Sequence, residues 1–329
     1  MKAPAFWNRP PDAPGIIARL LGPVSFVAKS LSARRVARPA TTRPDIPVIC
    51  VGNINIGGTG KTPTVIAIVQ HYQSLGLEPF VISRGYGGHV TISTEVDANR
   101  HNAGDVGDEP LLLAAFTRVW VSPDRGQAAK AAEAAGADLL IMDDGFQNPD
   151  VAKDFSIVVV DAEIGFGNGL VFPAGPLREP IEAGLKRADM VVSIGARPAQ
   201  DRFYDLWPLP DGMATAKAQL VPLPMGLDWS DQNVLAFAGI GRPEKFFATL
   251  RALGANLVQT VSLDDHQPLT PTLLQRMARD AKSNGAQLVT TEKDAVRLPA
   301  DMRTEVLTLP VRLEFSDPAI LGHLPKPKS

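Results

Sequence analysis

The segment VICVGNINIGGTGKTPTV, residues 48–65, restricts the fold of this chain more than any other stretch. Its first residues, VICVG, form a short apolar run typical of a buried strand. A glycine-rich turn, GGTGK, follows, and TPTVIAIVQHY then begins a helical pattern in which Pro63 is tolerated in the first turn. Strand, glycine-rich turn and helix in this order form a site where backbone N–H groups hold phosphate oxygens. The segment therefore predicts a nucleotide-binding α/β domain.

The loop departs from the strict pattern G-x-x-x-x-G-K-[ST], because Asn55 occupies the position of the first glycine. We expect this change to be tolerated, since that position is the farthest from the transferred phosphate. Lys61 is expected to reach the β- and γ-phosphates, and the Thr62 hydroxyl is expected to bind Mg²⁺. The predicted phosphate-binding residues are Gly57, Gly58, Thr59, Gly60, Lys61 and Thr62.

An acidic pair provides a partner for this loop. In DLLIMDDGFQ, Asp143 and Asp144 directly follow four apolar residues that have the character of a buried strand. A carboxylate in this place holds Mg²⁺ beside a phosphate-binding loop, either directly or through water. The two motifs together predict a site for a nucleoside triphosphate and a magnesium ion.

Further apolar runs alternate with helical stretches along the chain, including EPFVISRG, RVWVS, FSIVVVDA and DMVVSIG. This alternation predicts an α/β fold: a P-loop-containing parallel sheet with helices on both faces. A stretch rich in proline and glycine at 205–230 is interpreted as a connector, and a second, smaller α/β pattern follows it. The predicted division is an N-terminal helical segment at 1–40, a nucleotide-binding domain at 41–225, a smaller α/β domain at 226–315 and a tail at 316–329 that is frayed at its end.

Charge is distributed unevenly along the chain. The net charge is −2 and the isoelectric point is near 6.2, so the composition gives no overall basis for nucleic-acid binding. Residues 1–45 nevertheless carry a net charge of +6, which leaves −8 on the remainder. Cys50 is the single cysteine, which excludes a disulfide framework and a cysteine-rich metal site.

The basic N-terminal segment also carries an apolar stripe. Pro23 predicts a kink or a break into two short helices. The apolar run is too short and too interrupted to span a bilayer, which needs about 20 residues. Two interpretations stay open: a helix docked on its own domain, or an interfacial helix whose apolar face enters an anionic membrane surface. The residues at helical spacing are Ile17, Leu20, Leu21, Val24, Val27, Ala28 and Leu31.

The residues alone leave three classes of nucleotide-dependent protein open: a small-molecule or lipid kinase, a switch ATPase, and a GTPase. Switch ATPases of the ParA/MinD type carry a lysine just before the paired glycines, where this chain has Ile56. The nearest match to a GTPase base-reading motif, TEKD at 291–294, lies in the predicted second domain and has the wrong spacing. The sequence AGIG at 238–241 is interpreted as a turn between a strand and a helix.

Seven segments occur in order along the chain: GNINIGGTGKTP, SRGYGG, VGDEP, DDGFQ, PAGPLRE, DDHQPLT and TTEKDAVRL. Together they closely resemble the tetraacyldisaccharide 4′-kinase family of the lipid A pathway in Gram-negative bacteria. The resemblance implies transfer of the γ-phosphate of ATP, with Mg²⁺, to the 4′-hydroxyl of a tetraacylated glucosamine disaccharide 1-phosphate, which gives lipid IVA. It also implies a monotopic protein on the cytoplasmic face of the inner membrane, with no nucleic-acid partner and no obligate protein partner.

The resemblance also assigns roles to individual residues. Asp108 of VGDEP matches the family's candidate catalytic base, and His266 of DDHQP matches its partner. Because these two residues fall in different predicted domains, ATP is expected to close the second domain onto the first. The implied catalytic residues are Asp108, His266, Lys61 and Arg125; the implied metal group is Thr62, Asp143, Asp144, Gln147 and Glu179; Arg84 and Tyr86 are expected to meet the disaccharide.

Overall fold

The computed structural model describes residues 3–265 and 267–326. The helices are α1 (Ile16–Leu20), α2 (Gly22–Val36), α3 (Lys61–Ser74), α4 (Ala103–Val106), α5 (Asp108–Leu113), α6 (Arg125–Ala134), α7 (Ile181–Leu185), α8 (Arg197–Leu206), α9 (Pro243–Ala252), α10 (Pro271–Ser283) and α11 (Glu292–Ala295), with short 3₁₀ helices at Ala5–Asn8 and Pro318–His323. The strands are β1 (Val48–Gly52), β2 (Pro79–Ser83), β3 (Thr94–Glu95), β4 (Val119–Val121), β5 (Leu139–Asp143), β6 (Phe155–Asp161), β7 (Met190–Ile194), β8 (Ala214–Pro222), β9 (Asn233–Ala238), β10 (Asn256–Ser262), β11 (Gln287–Thr291), β12 (Val306–Leu309) and β13 (Val311–Phe315).

The larger sheet has the strand order β13-β8-β7-β6-β1-β5-β2-β4-β3. Its strands from β8 to β4 in this order run parallel, while β13 and β3 run antiparallel to their neighbours at the two edges. The central strands β1, β2 and β5 are fully buried, since α3 packs on one face and α6 on the other. The predicted parallel sheet covered on both faces is therefore confirmed.

A smaller sheet with the order β10-β9-β11-β12 is entirely parallel. Its core on one face includes Phe246, Phe247 and Leu250 of α9, and its core on the other face includes Leu274 and Met277 of α10. The apolar spacing in both helices produces these faces. The second α/β unit expected from the sequence is present.

Two strands lie where the sequence analysis did not place them. The expected connector at 205–230 contains β8, a full strand of the larger sheet, whose inward side chains include only the small Ala216 and Ala218. The expected second domain ran to residue 315, but β13 leaves the smaller sheet and pairs antiparallel with β8. Pro310 separates β12 from β13, and a proline ends strand pairing because it has no N–H to donate.

The N-terminal segment forms two helices, α1 and α2, which meet at Leu21, with Pro23 in the first turn of α2. Small residues face the protein: Ala18 and Ser25 are buried, and Ser25 Oγ accepts a hydrogen bond from the Ala174 N–H at 3.0 Å. In the described residues, no helix combines the length and the apolar character needed to span a bilayer. Large apolar side chains of these helices are instead exposed to solvent, namely Ile16, Ile17, Leu20, Val24, Phe26, Val27 and Leu31.

The described part of the tail, which ends at Lys326, is docked on the larger sheet rather than frayed. The 3₁₀ helix Pro318–His323 brings Leu324 into the core beneath α3, where it is only 5% exposed. The Tyr72 hydroxyl donates a hydrogen bond of 2.5 Å to the Pro325 carbonyl. The tail therefore closes the part of the core that lies between α3 and β13.

We expect Leu324→Ala to lower the free energy of unfolding by about 2–4 kcal/mol, because it leaves a cavity in a packed core. Urea denaturation followed by circular dichroism measures this change. The matched control is Leu206→Ala, whose side chain is 55% exposed, and it should alter stability by no more than about 0.5 kcal/mol. Equal effects of the two substitutions would show that the tail does not contribute to the core.

Candidate active site

The glycine-rich loop connects β1 to α3, and its glycines and internal hydrogen bonds fix its conformation. Gly57 and Gly60 have φ angles of 113° and 94°, a backbone region that glycine adopts without strain. A side chain at Gly60 would in addition stand 2.6 Å from Ile194 Cδ1. Asn53 Nδ2 donates to the Gly57 carbonyl and to Thr59 Oγ1, both at 3.1 Å. The result is a preformed turn at the start of a helix, the arrangement that binds phosphate.

Asn55, which replaces the first glycine of the strict pattern, connects the loop to residues further along the chain. Its Nδ2 donates to the Gly165 carbonyl at 3.0 Å, and its backbone forms a bridge with Leu177. The N–H of the next residue, Ile56, donates to the Pro176 carbonyl at 2.7 Å. Asn55 and Ile56 thus attach the loop to the segment at 165–178.

Asp143 lies at the carboxyl end of β5, where it pairs with Val51 of β1 just before the loop begins. Its side chain is 1% exposed, and neither carboxylate oxygen has a hydrogen-bond partner in the described part of the chain. Burial, together with the nearby carboxylates Glu109 and Asp144, raises the pKa of this carboxyl to about 7. A buried carboxylate without partners is strongly favoured to accept a cation.

Asp144 has a different environment from its neighbour. It adopts a φ of 47°, and its carboxylate lies 3.6 Å from Lys61 Nζ and 3.0 Å from Arg178 Nη1. Burial tends to raise the pKa of Asp144, but Lys61 and Arg178 outweigh burial and hold that pKa below its usual value. Asp144 is therefore a charged link between the loop and the segment that carries Arg178.

Two further residues of the expected metal group, Gln147 and Glu179, form hydrogen bonds within the protein. Gln147 Nε2 donates to the Asn53 carbonyl at 2.8 Å and to Glu179 Oε1 at 2.9 Å. Arg187 Nη2 donates to both oxygens of Glu179 at 2.6 Å. Glu179 thus supports Gln147, and Gln147 in turn holds the backbone at the entrance of the loop.

The acidic groups fit a magnesium ion only together with a phosphate. Within residues 3–265 and 267–326, no cluster of three or more His, Cys, Asp or Glu side chains is arranged to hold a metal. Mg²⁺ is usually bound by one or two carboxylates together with substrate phosphates and water. The orphaned carboxylate of Asp143, next to the strand that leads into the loop, matches this requirement.

The expected cationic and substrate-contacting residues lie at the same edge of the sheet. Arg125 is buried at the start of α6, and its Nη2 donates to the Asp144 carbonyl at 2.9 Å. Burial lowers the pKa of Arg125, and the nearby charge of Arg84 adds to this effect. Arg84 and Tyr86 are exposed to solvent. A Cβ on Gly107 would stand 2.6 Å from the Tyr86 carbonyl, so the two backbones are in close contact.

This contact places SRGYGG beside the segment that bears Asp108. Asp108 is buried at the first position of α5, and its Oδ1 accepts a hydrogen bond of 2.9 Å from the Glu109 N–H. Lys293 of the smaller unit donates to Glu109 Oε1 at 3.1 Å and lies 3.6 Å from Asp265 Oδ1. The expected partner of Asp108, His266, lies outside the described residues.

Sequence reasoning did not single out three cations that contact this site. Arg178 binds Asp144, Arg187 binds Glu179, and Lys293 binds Glu109. Arg178 lies within PAGPLRE and Lys293 within TTEKDAVRL. Their position in these segments could have identified them as site residues from the sequence. Arg187 lies outside every quoted segment, and only its position in the fold identifies it.

Comparison with known proteins identifies related sequences. The family model described as tetraacyldisaccharide-1-P 4′-kinase matches residues 17–326. A tetraacyldisaccharide 4′-kinase from Dinoroseobacter shibae is 56% identical over 98% of this chain and 96% of the relative, and one from a Jannaschia species is 55% identical over 96% of both chains.

A solved structure of LpxK from Aquifex aeolicus in complex with ATP has the same fold. It is 24% identical in sequence, with a TM-score of 0.73, and covers 92% of this chain and 96% of that chain. This comparison shows that the two proteins share a fold. From the family match and the identity over nearly the whole length, the chain belongs to the tetraacyldisaccharide-1-P 4′-kinase family.

Proposed function

We propose that this protein transfers the γ-phosphate of ATP to the 4′-hydroxyl of a tetraacylated glucosamine disaccharide 1-phosphate and so produces lipid IVA. One observation carries the proposal beyond family membership. The buried carboxylate of Asp108, a candidate base, lies in a segment packed against SRGYGG, while the adjacent Glu109 acts electrostatically on Asp143. Phosphate-binding loop, metal carboxylate and base thus converge on one edge of the larger sheet.

The loop residues supply the triphosphate site. Backbone N–H groups at 57–62 hold phosphate oxygens at the start of α3, and Lys61 supplies a positive charge to the terminal phosphates. Thr62 and Asp143 would hold Mg²⁺, with Asp144 beside them, and the ion would neutralise charge on the β- and γ-phosphates. Gln147 and Glu179 support this group indirectly, since Glu179 holds Gln147 and Gln147 donates a hydrogen bond to the Asn53 carbonyl.

The acceptor hydroxyl attacks the γ-phosphorus, the bond from that phosphorus to the ADP oxygen breaks, and the hydroxyl proton passes to Asp108. Positioning and charge neutralisation dominate phosphoryl transfer, so Lys61 and Arg125 contribute through their charge. Arg84 and Tyr86 are exposed beside this segment and are available to the disaccharide or its 1-phosphate. His266, from the smaller unit, orients Asp108 once ATP has drawn the two units together.

The N-terminal helices bind the cytoplasmic surface of the inner membrane. Their small residues, among them Ala18 and Ser25, face the protein, so docking does not use the large apolar side chains. A contiguous exposed stripe of such side chains is typical of an interfacial helix. Arg34, Arg35 and Arg38 follow the stripe and suit anionic headgroups. The lipid acceptor is therefore reached from the membrane surface.

The proposed reaction is tested with purified protein, Mg²⁺, ATP labelled at the γ-phosphate and the acylated disaccharide 1-phosphate. The expected result is label in the lipid product, with transfer almost abolished in Lys61→Ala. Hydrolysis of ATP with no label in the lipid would contradict the proposal and support the alternative of a membrane-bound switch ATPase.

We expect Asp108→Ala to lower kcat by about 10²–10⁴-fold, because a general base acts in the transition state. The KM for ATP should change much less, since the residue does not hold the nucleotide. Steady-state kinetics with the lipid acceptor measures both constants. Asp201→Ala, which removes an exposed carboxylate that pairs with Lys217, is the control. Normal turnover by Asp108→Ala would exclude this residue as the base.

We expect the triple variant Leu20→Ser, Val27→Ser and Leu31→Ser to bind anionic vesicles at least about 100-fold more weakly than the wild type. Each of these side chains would bury apolar area in the membrane, at about 1.5–3 kcal/mol for full burial. Co-sedimentation with vesicles of mixed anionic and neutral phospholipid measures the binding.

The matched control removes the same kinds of exposed side chain elsewhere: Leu75→Ser, Leu206→Ser and Val258→Ser. It should bind vesicles as the wild type does. If the two triple variants behave alike, the N-terminal stripe is not the membrane-binding surface.

A further inference from the structure

Lys293 is one of the residues that connect the two α/β units. It belongs to α11 of the smaller unit, yet its Nζ donates to Glu109 of α5 in the larger unit at 3.1 Å. The same Nζ lies 3.6 Å from Asp265, in the loop that follows β10. One cation therefore contacts both the segment that bears Asp108 and the residue that precedes His266 in the sequence.

The charge of Lys293 is maintained although the side chain is only 20% exposed. Burial tends to lower the pKa of this lysine, but the carboxylates Glu109, Asp108 and Asp265 outweigh burial and raise that pKa. The lysine is therefore fully protonated at neutral pH. Because electrostatic interaction is mutual, the lysine in turn attracts these three carboxylates.

The backbone that carries Lys293 is firmly anchored. Thr291 caps the short helix by accepting a hydrogen bond from the Asp294 N–H at 3.2 Å. The buried Asp294 accepts from the Gly239 N–H at 3.0 and 3.1 Å. Arg297 Nη1 donates to the Gln267 carbonyl at 2.8 Å, so the same segment also holds Gln267. These hydrogen bonds fix the position of the backbone that carries Lys293.

The residue before Lys293 attaches the same helix to the larger sheet. Glu292 accepts hydrogen bonds from Arg312 Nη1 at 2.9 and 3.0 Å and from the Val311 N–H at 3.1 Å, both in β13. The segment TEKDAVR therefore contacts the larger sheet, Asp265, Gln267 and the turn at Gly239.

We propose that Lys293 is a positioning residue that holds the Asp108 segment and the segment that bears Asp265 together in the geometry required for phosphoryl transfer. The inference rests on the proposed function, because its readout is the transfer of phosphate to the acylated disaccharide. It adds a specific element: one lysine of the smaller unit joins the two halves of the catalytic site.

The decisive variant is Lys293→Met, which preserves the length of the side chain and removes its charge. Loss of the cation removes its attraction for the Asp108 carboxylate, and since the charged form of the base is the active one, the acidic limb of the kcat–pH profile should move to higher pH. Misplacement of the two halves should lower kcat by about 10–100-fold. The KM for ATP should stay within about twofold of the wild type, because the phosphate-binding loop is unchanged.

Lys293→Arg keeps the charge and provides the conservative rescue. It should restore the position of the acidic limb and recover part of kcat. A merely structural lysine would instead give variants with lower thermal stability and unchanged pH profiles. Thermal unfolding of each variant, measured beside the kinetics, separates the two cases.

Two further lysines provide comparisons. Lys217→Met removes an exposed ion pair with Asp201 within the larger unit and should leave kcat and the pH profile unchanged. Lys245→Met removes another ion pair between the units, with Asp161 at 2.9 Å, and should leave the acidic limb in place. A shift of the limb in Lys245→Met as large as in Lys293→Met would show general loosening of the junction and overturn the inference.

The outcomes for the inference and for the proposed function are distinct. If the wild type does not label the lipid, the proposed function fails. If the wild type labels the lipid and Lys293→Met keeps both the wild-type kcat and the wild-type acidic limb, only the positioning role is excluded.

Discussion

The parallel pairing of β1 with β5 is the constraint on which the site depends. It sets Val51 beside Asp143, so that the residues leading into the glycine-rich loop and the buried carboxylate leave the sheet at the same edge. Because the neighbouring strands β2 and β4 run in the same direction, Arg84 and Arg125 also emerge at this edge. Residues far apart in the sequence are thus gathered at the carboxyl ends of parallel strands.

Much of this arrangement could be predicted from the sequence. Continuous apolar runs such as VICVG and LLIMD predict strands buried on both faces, and the motifs that follow them predict the edge at which the site lies. The prediction of strands and domain boundaries failed where the hydrophobic pattern was weak or was interrupted by a proline. The inward residues of β8 include Ala216 and Ala218, which carry little hydrophobic signal. Pro310 splits one apparent run into strands that belong to different sheets.

The roles within the acidic group were also beyond sequence reasoning. Asp143 and Asp144 are adjacent and chemically identical, yet one has no hydrogen-bond partner among the described residues while the other is held by Arg178 and Lys61. Asp143 is the last residue of β5, whereas Asp144 lies just beyond the strand and has a positive φ. Such local backbone geometry leaves no periodic trace in a sequence.

The antiparallel pairing of β8 with β13 has a consequence for how the chain reaches its native state. Pro222 pairs with Val311, so the smaller unit enters and leaves the larger sheet at neighbouring positions, like a domain inserted into a hairpin. Early folding of the insert would bring its two ends together and reduce the entropic cost of closing the long loop between these strands. Folding of the smaller unit would therefore favour the pairing of the two strands at the edge of the larger sheet.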